Sequence, residues 1–153
     1  MYDTILVPTD GSDTAEAAVD RAVDLAAKYD ATVHALYVVD VDAVNYSLGT
    51  EQVDRVRRGD LDDMPEIKQA ADEATGYVAD AAAAAGVPAE EHVRAGQPVR
   101  AIRDAIDELD ADVVVMGSHG RSGISRALLG SVTEKVLRKT TVPVFVVDAK
   151  GEE

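Results

Sequence analysis

A short apolar run followed by a glycine-rich loop constrains this chain of 153 residues more than any other feature. The run is Val113-Val114-Val115-Met116, and an uninterrupted run of this length between polar residues predicts a strand that is buried on both faces. Gly117 comes directly after it and Gly120 three residues later, so the backbone can turn there without a side chain in the way. The chain should therefore leave a buried strand through a loop whose backbone is not covered by side chains.

The far end of this loop carries the signature of a helix start. Gly130 and Ser131 precede Val132-Thr133-Glu134, and a serine followed three residues later by glutamate is typical of a capping box. We expect Ser131 to cap the helix and Glu134 to complete the box. Exposed amides and the helix dipole attract anions at such a position, so the loop is predicted to bind a phosphate.

The net charge of the chain limits the kinds of ligand that it is expected to bind. The chain has 29 acidic and 15 basic residues and a formal net charge of −14. Nucleic-acid binding is not expected, because a protein needs cationic surface to replace phosphate counterions. A nucleotide remains compatible with this charge, since backbone amides supply local positive potential. So acidic a surface also suits a concentrated-salt cytoplasm, and we predict a halophilic origin.

Length and residue usage indicate one cytoplasmic domain. The chain has no cysteine, so disulfides and cysteine zinc sites are excluded. Its first residues do not resemble a signal peptide, and no apolar run approaches the ~20 residues of a membrane span. We expect a single domain over residues 1–149, a frayed tail over 150–153, and no membrane partner.

Strand and helix patterns alternate along the chain. This alternation predicts an α/β fold: one doubly wound, five-stranded parallel sheet with helices on both faces and strand order 3-2-1-4-5. Residues 41–63 fit the alternation least and hold a possible short helix over 51–58. Strands are predicted over 4–9, 32–39, 89–95, 112–116 and 143–147, and helices beginning near residues 12, 63, 97 and 131.

Two turns should meet in this topology. Ligands of open α/β sheets bind beyond the carboxyl ends of the strands where the strand order reverses, which here is between the first and fourth strands. Asp10-Gly11 follows the first strand, and Gly117 to Gly120 follows the fourth. The two turns are therefore expected to flank one crevice.

Three motifs give the chain a family resemblance. Residues 5–12, ILVPTDGS, resemble the opening of the universal stress protein family, and residues 113–121, VVVMGSHGR, resemble its fourth strand and loop. Residues 142–144 resemble the family's final strand. The family's nucleotide-binding branch carries Gly-x2-Gly-x9-Gly-Ser/Thr, and this chain has the motif complete. The resemblance implies an ATP-binding α/β domain, usually a homodimer, that is associated with stress survival or signalling.

Site residues follow from the resemblance position by position. Gly120, Gly130, Ser131 and Val132 would hold the phosphates, largely through backbone amides. Asp10 would face the phosphates and bind them through magnesium, a cation that prefers carboxylate and phosphate oxygens.

The nucleoside end of the site is implied in the same way. Pro8 and Gly117 would meet the ribose through the main chain, and the backbone of Val38 would pair with the adenine edge. The bound ligand would be ATP, with ADP and AMP as alternatives. The predicted nucleotide-binding set is Pro8, Thr9, Asp10, Val38, Met116, Gly117, His119, Gly120, Arg121, Gly130, Ser131, Val132 and Thr133.

Several of these residues have a simpler interpretation. Asp10 fits a turn as well as a ligand, and His119 could hydrogen-bond a phosphate or only stabilise its loop. Arg121 could balance phosphate charge or pair with a surface carboxylate. His34 and His92 are assigned to strand surfaces rather than to a site.

Three functions remain open from the sequence. The first is an ATP-binding module, and no residue is predicted to be catalytic. The second is a slow magnesium-dependent ATPase. Two features count against it: the chain has no Gly-x4-Gly-Lys-Ser/Thr motif, and no lysine lies near the loop in the sequence to act in phosphoryl transfer. The third is a homodimeric scaffold with an empty site. Residues 143–147 should form an edge strand, and an exposed edge favours pairing with a second copy across a two-fold axis.

Overall fold

The computed structural model describes residues 2–40, 64–119 and 129–148. Strands and helices alternate along these residues, as the sequence predicts. Because residues 41–63 are outside the described ranges, so is the short helix predicted there. The elements are β1 Thr4–Pro8, α1 Asp13–Tyr29, β2 Thr32–Asp40, α2 Pro65–Ala84, β3 Ala89–Gly96, α3 Pro98–Leu109, β4 Val113–Gly117, α4 Ser131–Lys139 and β5 Val144–Val147.

The five strands form one sheet in the order β3-β2-β1-β4-β5, and every neighbouring pair is parallel. The predicted fold class and strand order are thereby confirmed. β1 lies in the centre, beside β2 on one side and β4 on the other. The strand order reverses between β1 and β4, so the crevice expected there has the required topology.

Alternating residues of the central strands divide the core into two layers. Ile5 and Val7 face α1 and α2, where alanines and valines of the two helices pack against the sheet. Leu6 and Leu36 face the opposite side, where they pack with apolar residues of α3 and α4 such as Ile102 and Val136. Both faces of the sheet are therefore covered, which explains why β4 is an uninterrupted apolar run.

The helix ends show where local sequence rules succeed. Ser12 caps α1, and its hydroxyl accepts a hydrogen bond from the Ala15 amide at 3.2 Å. Asp30 ends the same helix in the left-handed conformation, with φ of 58°. The Gln97 side chain caps α3 by accepting a hydrogen bond from the Arg100 amide at 2.8 Å.

The predicted cap of α4 is wrong. Gly130, not Ser131, occupies the N-cap position, and its carbonyl accepts the first helical bond from the Glu134 amide at 2.9 Å. Ser131 is the first residue inside the helix, so no capping box forms, and the Glu134 carboxylate instead accepts a hydrogen bond from Arg138. The helix itself begins at Ser131, as predicted, and the residue before it, Gly130, is the N-cap.

The two edge strands differ in character. β3 is polar, with Glu90, Glu91 and Arg94 exposed, which confirms its predicted place at an edge. β5 is the other edge and exposes Phe145 and Val146. Among the described helices, none combines the length and the apolar character that a bilayer span requires.

Candidate functional site

A crevice lies beyond the end of β1, where the neighbouring strand β2 continues. The register of β1 with β2 ends at Pro8 and Leu36, whereas β2 runs on to Asp40. The Leu36 carbonyl accepts a hydrogen bond from the Thr9 amide at 2.9 Å, so the backbone groups of residue 36 point toward β1. In a parallel strand the residue two positions on points the same way. The N–H and C=O of Val38 therefore point toward the space beyond the end of β1.

The turn after β1 is held by its own side chains. The Thr9 hydroxyl accepts a hydrogen bond from the Gly11 amide at 3.2 Å, and Asp10 Oδ1 accepts one from the Ser12 amide at 3.0 Å. Gly11 has a φ of 79°, a conformation that favours glycine. This Asx turn leads directly into the first turn of α1, so the predicted turn role of Asp10 is confirmed.

The end of β4 packs closely against α1. A Cβ atom on Gly117 would lie 2.8 Å from Thr14 Cγ2 and 3.1 Å from the Thr14 carbonyl carbon. Any side chain at position 117 would push β4 and α1 apart. The glycine that follows the strand therefore sets how closely the two turns of the crevice approach each other.

The residues that precede and follow the glycine loop are in contact with each other. The Gly130 amide donates a hydrogen bond to the Ser118 carbonyl at 2.7 Å, and a Cβ on Gly130 would lie 3.0 Å from His119 Cα. Thr133 is buried and donates from its hydroxyl to the Gly117 carbonyl at 2.8 Å. The start of α4 is thus fastened to the end of β4, which aims the amides of the first helical turn into the crevice.

His119 is fixed on both sides of its ring. Its Nε2 lies 3.3 Å from Thr14 Oγ1, and its Nδ1 lies 3.2 Å from Ser118 Oγ. Ser118 in turn donates to Asp148 Oδ1 at 3.0 Å. These contacts join α1, the end of β4 and the residue after β5.

The crevice contains a cavity of about 590 Å³, a volume in the range of small-molecule sites. Gly120 and Arg121, two of the predicted site residues, lie outside the described residues. All the other predicted site residues line the cavity: Pro8, Thr9, Asp10, Val38, Met116, Gly117, His119, Gly130, Ser131, Val132 and Thr133.

The cavity has an apolar part and a polar part. Leu36, Ile102 and Met116 line it and are almost fully buried, so they form a rigid apolar wall. The N-terminus of α4 and the turn after β1 line the rest. Asp10 and Asp40 are the formally charged side chains among the described lining residues. The positive potential that these described residues supply comes from the α4 amides and dipole.

The sequence did not single out part of this lining, namely Ala15, Leu36, Asp40, Pro98 and Ile102. Leu36 and Ile102 look like ordinary core residues, and their exposure to the cavity depends on where β1 ends. Pro98 and Asp40 lie at the start of α3 and the end of β2, positions that are next to the crevice because crossovers bring carboxyl ends of strands to one edge. That placement is the only sequence signal that could have found them.

Comparison with known proteins agrees with this architecture. A model of the universal stress protein family matches residues 1–148. The chain belongs to the universal stress protein family. The family protein MJ0531 of Methanocaldococcus jannaschii is 34% identical to it over 154 residues, which cover 100% of this chain and 86% of the relative. YxiE of Bacillus subtilis is 34% identical over 148 residues, which cover 96% of this chain and 99% of the relative.

Solved structures of family members share the fold. The M. jannaschii protein MJ0577 superimposes with a TM-score of 0.79 at 28% identity, and the match covers 99% of each chain. A universal stress protein in complex with cAMP gives a TM-score of 0.66 at 30% identity, covering 97% of this chain and 98% of the other. One from Archaeoglobus fulgidus in complex with dAMP gives 0.67 at 25% identity, covering 95% and 98%.

Proposed function

We propose that this universal stress protein binds an adenine nucleotide, ATP or its products ADP and AMP, in the crevice and serves as a nucleotide-dependent stress-response module. The observation that carries the proposal is the cavity itself, which joins an apolar wall to the amides of a helix N-terminus. Related structures hold cAMP and dAMP, two ligands that contain both an adenine and a phosphate.

The phosphates would bind at the α4 end. The first amides of a helix have no partner within the helix, and Ser131 and Val132 present theirs beside the cavity. The Ser131 hydroxyl is exposed at the same place and adds one donor. Gly130 keeps this surface free of side chains, so an anion can approach the backbone closely.

The adenine would bind at the β2 end. The backbone of Val38 points beyond the end of β1 and offers one donor and one acceptor to the edge of the base. Leu36 and Ile102 supply apolar surface for its faces. A base in this position removes apolar surface from water and still satisfies its polar edge, as nucleotide sites require.

Magnesium would offset the acidity of the site. Asp10 and Asp40 add negative charge beside a ligand that is itself an anion. A divalent cation that binds the phosphate oxygens and faces Asp10 relieves this repulsion. We expect ATP to bind more weakly when the cation is removed with a chelator, and we expect the Asp10→Asn variant to show a smaller difference between the two conditions.

Gly130→Asp tests the site directly. The substitution places a carboxylate against the proposed phosphate position, so ATP should no longer raise the unfolding temperature by mass action. Gly86→Asp is the matched control: it adds the same charge at the opposite edge of the sheet, at a φ of 70° with open space around it. Aspartate already adopts this conformation at Asp30 and Asp110.

Calorimetric titration of both variants with ATP, ADP, AMP and cAMP in molar KCl measures the effect. The wild type and Gly86→Asp should bind alike, and Gly130→Asp should not bind. Equal binding by all three proteins, or no binding by the wild type at millimolar nucleotide, contradicts the proposal.

A homodimer through β5 completes the proposed assembly. β5 is an edge strand, and Phe145 and Val146 are about 40% exposed on it. Exposed apolar edges pair with other strands, and pairing across a two-fold axis closes the assembly at two copies. Light scattering in molar KCl should give twice the mass of one chain.

A further inference from the structure

A second cluster of polar side chains lies on the α3 side of the sheet, away from the crevice. His34 is on β2, and Glu90 and His92 are on the edge strand β3. His34 is opposite Glu90 in the register, and His92 is opposite Leu36, so the three side chains share one face of the sheet. Val38 in the crevice is four positions further along β2 than His34, or roughly 13 Å of strand.

The histidine rings are in direct contact. His34 Nδ1 lies 2.9 Å from His92 Nε2, and the rings stack with centroids 5.2 Å apart and planes inclined by 20°. His34 is buried, with 8% of its surface exposed, which differs from the surface position predicted for it. The burial fixes one ring within the sheet, and the second ring is held against it by strand pairing.

Glu90 brings a carboxylate to the same point. One nitrogen from each ring and one oxygen of Glu90 all lie within 4.8 Å of one another. Ligand atoms about 2.1 Å from a tetrahedral metal ion are separated by roughly 3.4 Å. The two nitrogens need to separate by a few tenths of an ångström, and both rings need to tilt so that their lone pairs point at the ion. Glu90, which is exposed, needs to rotate its side chain.

We propose that His34, Glu90 and His92 bind one divalent transition-metal ion, with Zn²⁺ as the best match. Two imidazoles and one carboxylate are a ligand set that Zn²⁺ accepts, and a water molecule would fill the fourth position. Nitrogen ligands select against Mg²⁺ and Ca²⁺, which prefer oxygen. This selectivity separates the site from the many carboxylates of a chain with net charge −14.

The ion would join β3 to β2. In the metal-free protein the two rings share a hydrogen bond, so one imidazole donates and the other accepts. In the metal-bound protein both nitrogens become ligands, and each ring carries its proton on its other nitrogen. Binding therefore needs a change of tautomer and little movement of the backbone, and it stabilises the polar edge strand.

Titration of the full chain with Zn²⁺ alone tests the proposal. The protein is first treated with a chelator and freed of nucleotide, so that the ion cannot bind through phosphates. Calorimetry should show one ion per chain, and the unfolding temperature should rise with Zn²⁺ concentration. Mg²⁺ at the same concentration should not reproduce the rise.

Neighbouring residues of β3 provide a matched pair of variants. Glu90→Gln and His92→Gln each remove one ligand and should weaken Zn²⁺ binding at least about tenfold. Glu91→Gln makes the same chemical change on the opposite face of the same strand, opposite Ala35 in the register, and should bind Zn²⁺ as the wild type does. Circular dichroism confirms that each variant is folded.

Two results overturn the proposal. One is the absence of saturable Zn²⁺ binding by the folded wild type, which would leave the histidines as a hydrogen-bonded pair only. The other is equal Zn²⁺ affinity for the wild type, Glu90→Gln and His92→Gln. Neither result bears on nucleotide binding, because the two sites share no residue.

Discussion

At the scale of single residues, two glycines decide whether the crevice exists. Gly117 allows the end of β4 to lie against Thr14, and Gly130 allows α4 to begin against His119. Neither position has a positive φ, so the requirement is for space and not for an unusual backbone conformation. The glycine motif that predicts phosphate binding is therefore also needed for close packing of β4 and α4 against their neighbours.

Gly117→Ala should destabilise the protein by about 1–3 kcal/mol, because the new methyl group overlaps Thr14 and its backbone. Gly76→Ala is the control. Gly76 lies within α2 with nothing within 4 Å of the added Cβ, and alanine there should stabilise the protein by about 0.5–1 kcal/mol. Urea unfolding followed by circular dichroism measures both changes. Destabilisation of similar size in the two variants would contradict the packing argument.

Thr133→Val should cost about 1 kcal/mol, because it leaves the partly buried Gly117 carbonyl without its hydroxyl donor. Thr75→Val is a milder change of the same kind. The Thr75 hydroxyl donates to the Ala71 carbonyl, which lies within α2 and also accepts a helical bond. Urea unfolding should rank the two variants in this order, and the reverse order would show that Thr133 does not fasten α4.

At the scale of elements, β5 has two distinct sets of backbone groups. The Pro143 and Val147 carbonyls accept hydrogen bonds from β4 and its extension, at 3.0 and 2.9 Å. The backbone N–H and C=O groups of alternate residues in a parallel strand point to opposite sides. The backbone groups of Phe145 therefore also point to β4, whereas those of Val144 and Val146 point outward. The outward groups are the ones available to a second copy of the chain.

Val146→Pro should therefore prevent dimer formation and leave the monomer folded, because it removes an outward amide at an edge where proline is tolerated. Phe145→Pro removes an amide that points to β4 and should destabilise the monomer instead. Light scattering reports the mass, and circular dichroism reports folding. A Val146→Pro protein that stays dimeric would exclude this strand as the interface.

The stability of the protein is expected to depend on the protonation of His92, which lies on the edge strand β3. Burial lowers the pKa of His92, and the nearby His34 and Arg94 lower it further, while Glu90 and Glu108 oppose the shift. In the unfolded chain histidine has a pKa of about 6.5, so the unfolded state binds more protons in the window below that value. The His92 contribution to stability is therefore constant above this window and declines as the pH falls through it.

The metal-free wild type should lose stability between about pH 7.5 and pH 5.5 more steeply than His92→Gln, since glutamine does not titrate. Urea unfolding at several pH values, in the presence of a chelator, gives the two slopes. Titrating groups far from position 92 are common to both proteins and cancel in the difference, whereas His34 contacts His92, so the difference reports the histidine pair. Identical slopes would show that the environment of His92 does not disfavour its protonated form.

At the scale of the whole molecule, the net charge of −14 opposes folding through repulsion between carboxylates. Asp24, Asp72 and Asp80 are exposed on the outer faces of α1 and α2. Salt at 1 M reduces the screening length to about 3 Å, compared with about 10 Å at 0.1 M. The halophilic origin predicted from the sequence rests on this repulsion.

The free energy of unfolding in urea should increase when KCl is raised from 0.1 M to 1 M. A triple variant with Asp24, Asp72 and Asp80 changed to asparagine should show a smaller increase, because fewer charges remain to be screened. An unchanged salt response in the triple variant would mean that salt stabilises the protein through apolar burial instead.

The fold and most of the candidate site can be predicted from local patterns in the sequence. Each strand and helix carries its own period, and the reversal of strand order makes the turns after β1 and β4 neighbours. The described residues that the family resemblance implied, from Pro8 to Thr133, all line the cavity. Their nucleotide-binding roles, and the domain boundary at residue 149, remain predictions.

Features that depend on distances between segments far apart in sequence are visible only in the folded chain. The N-cap of α4 is Gly130 and not Ser131, and a Cβ on Gly130 would lie 3.0 Å from His119 Cα, a contact that no local capping rule contains. Leu36 became part of the cavity because β1 ends beside it. His34 and His92 are in contact because the register of β2 with β3 makes them diagonal neighbours on one face of the sheet. Sequence patterns are local, whereas register is a property of the folded sheet.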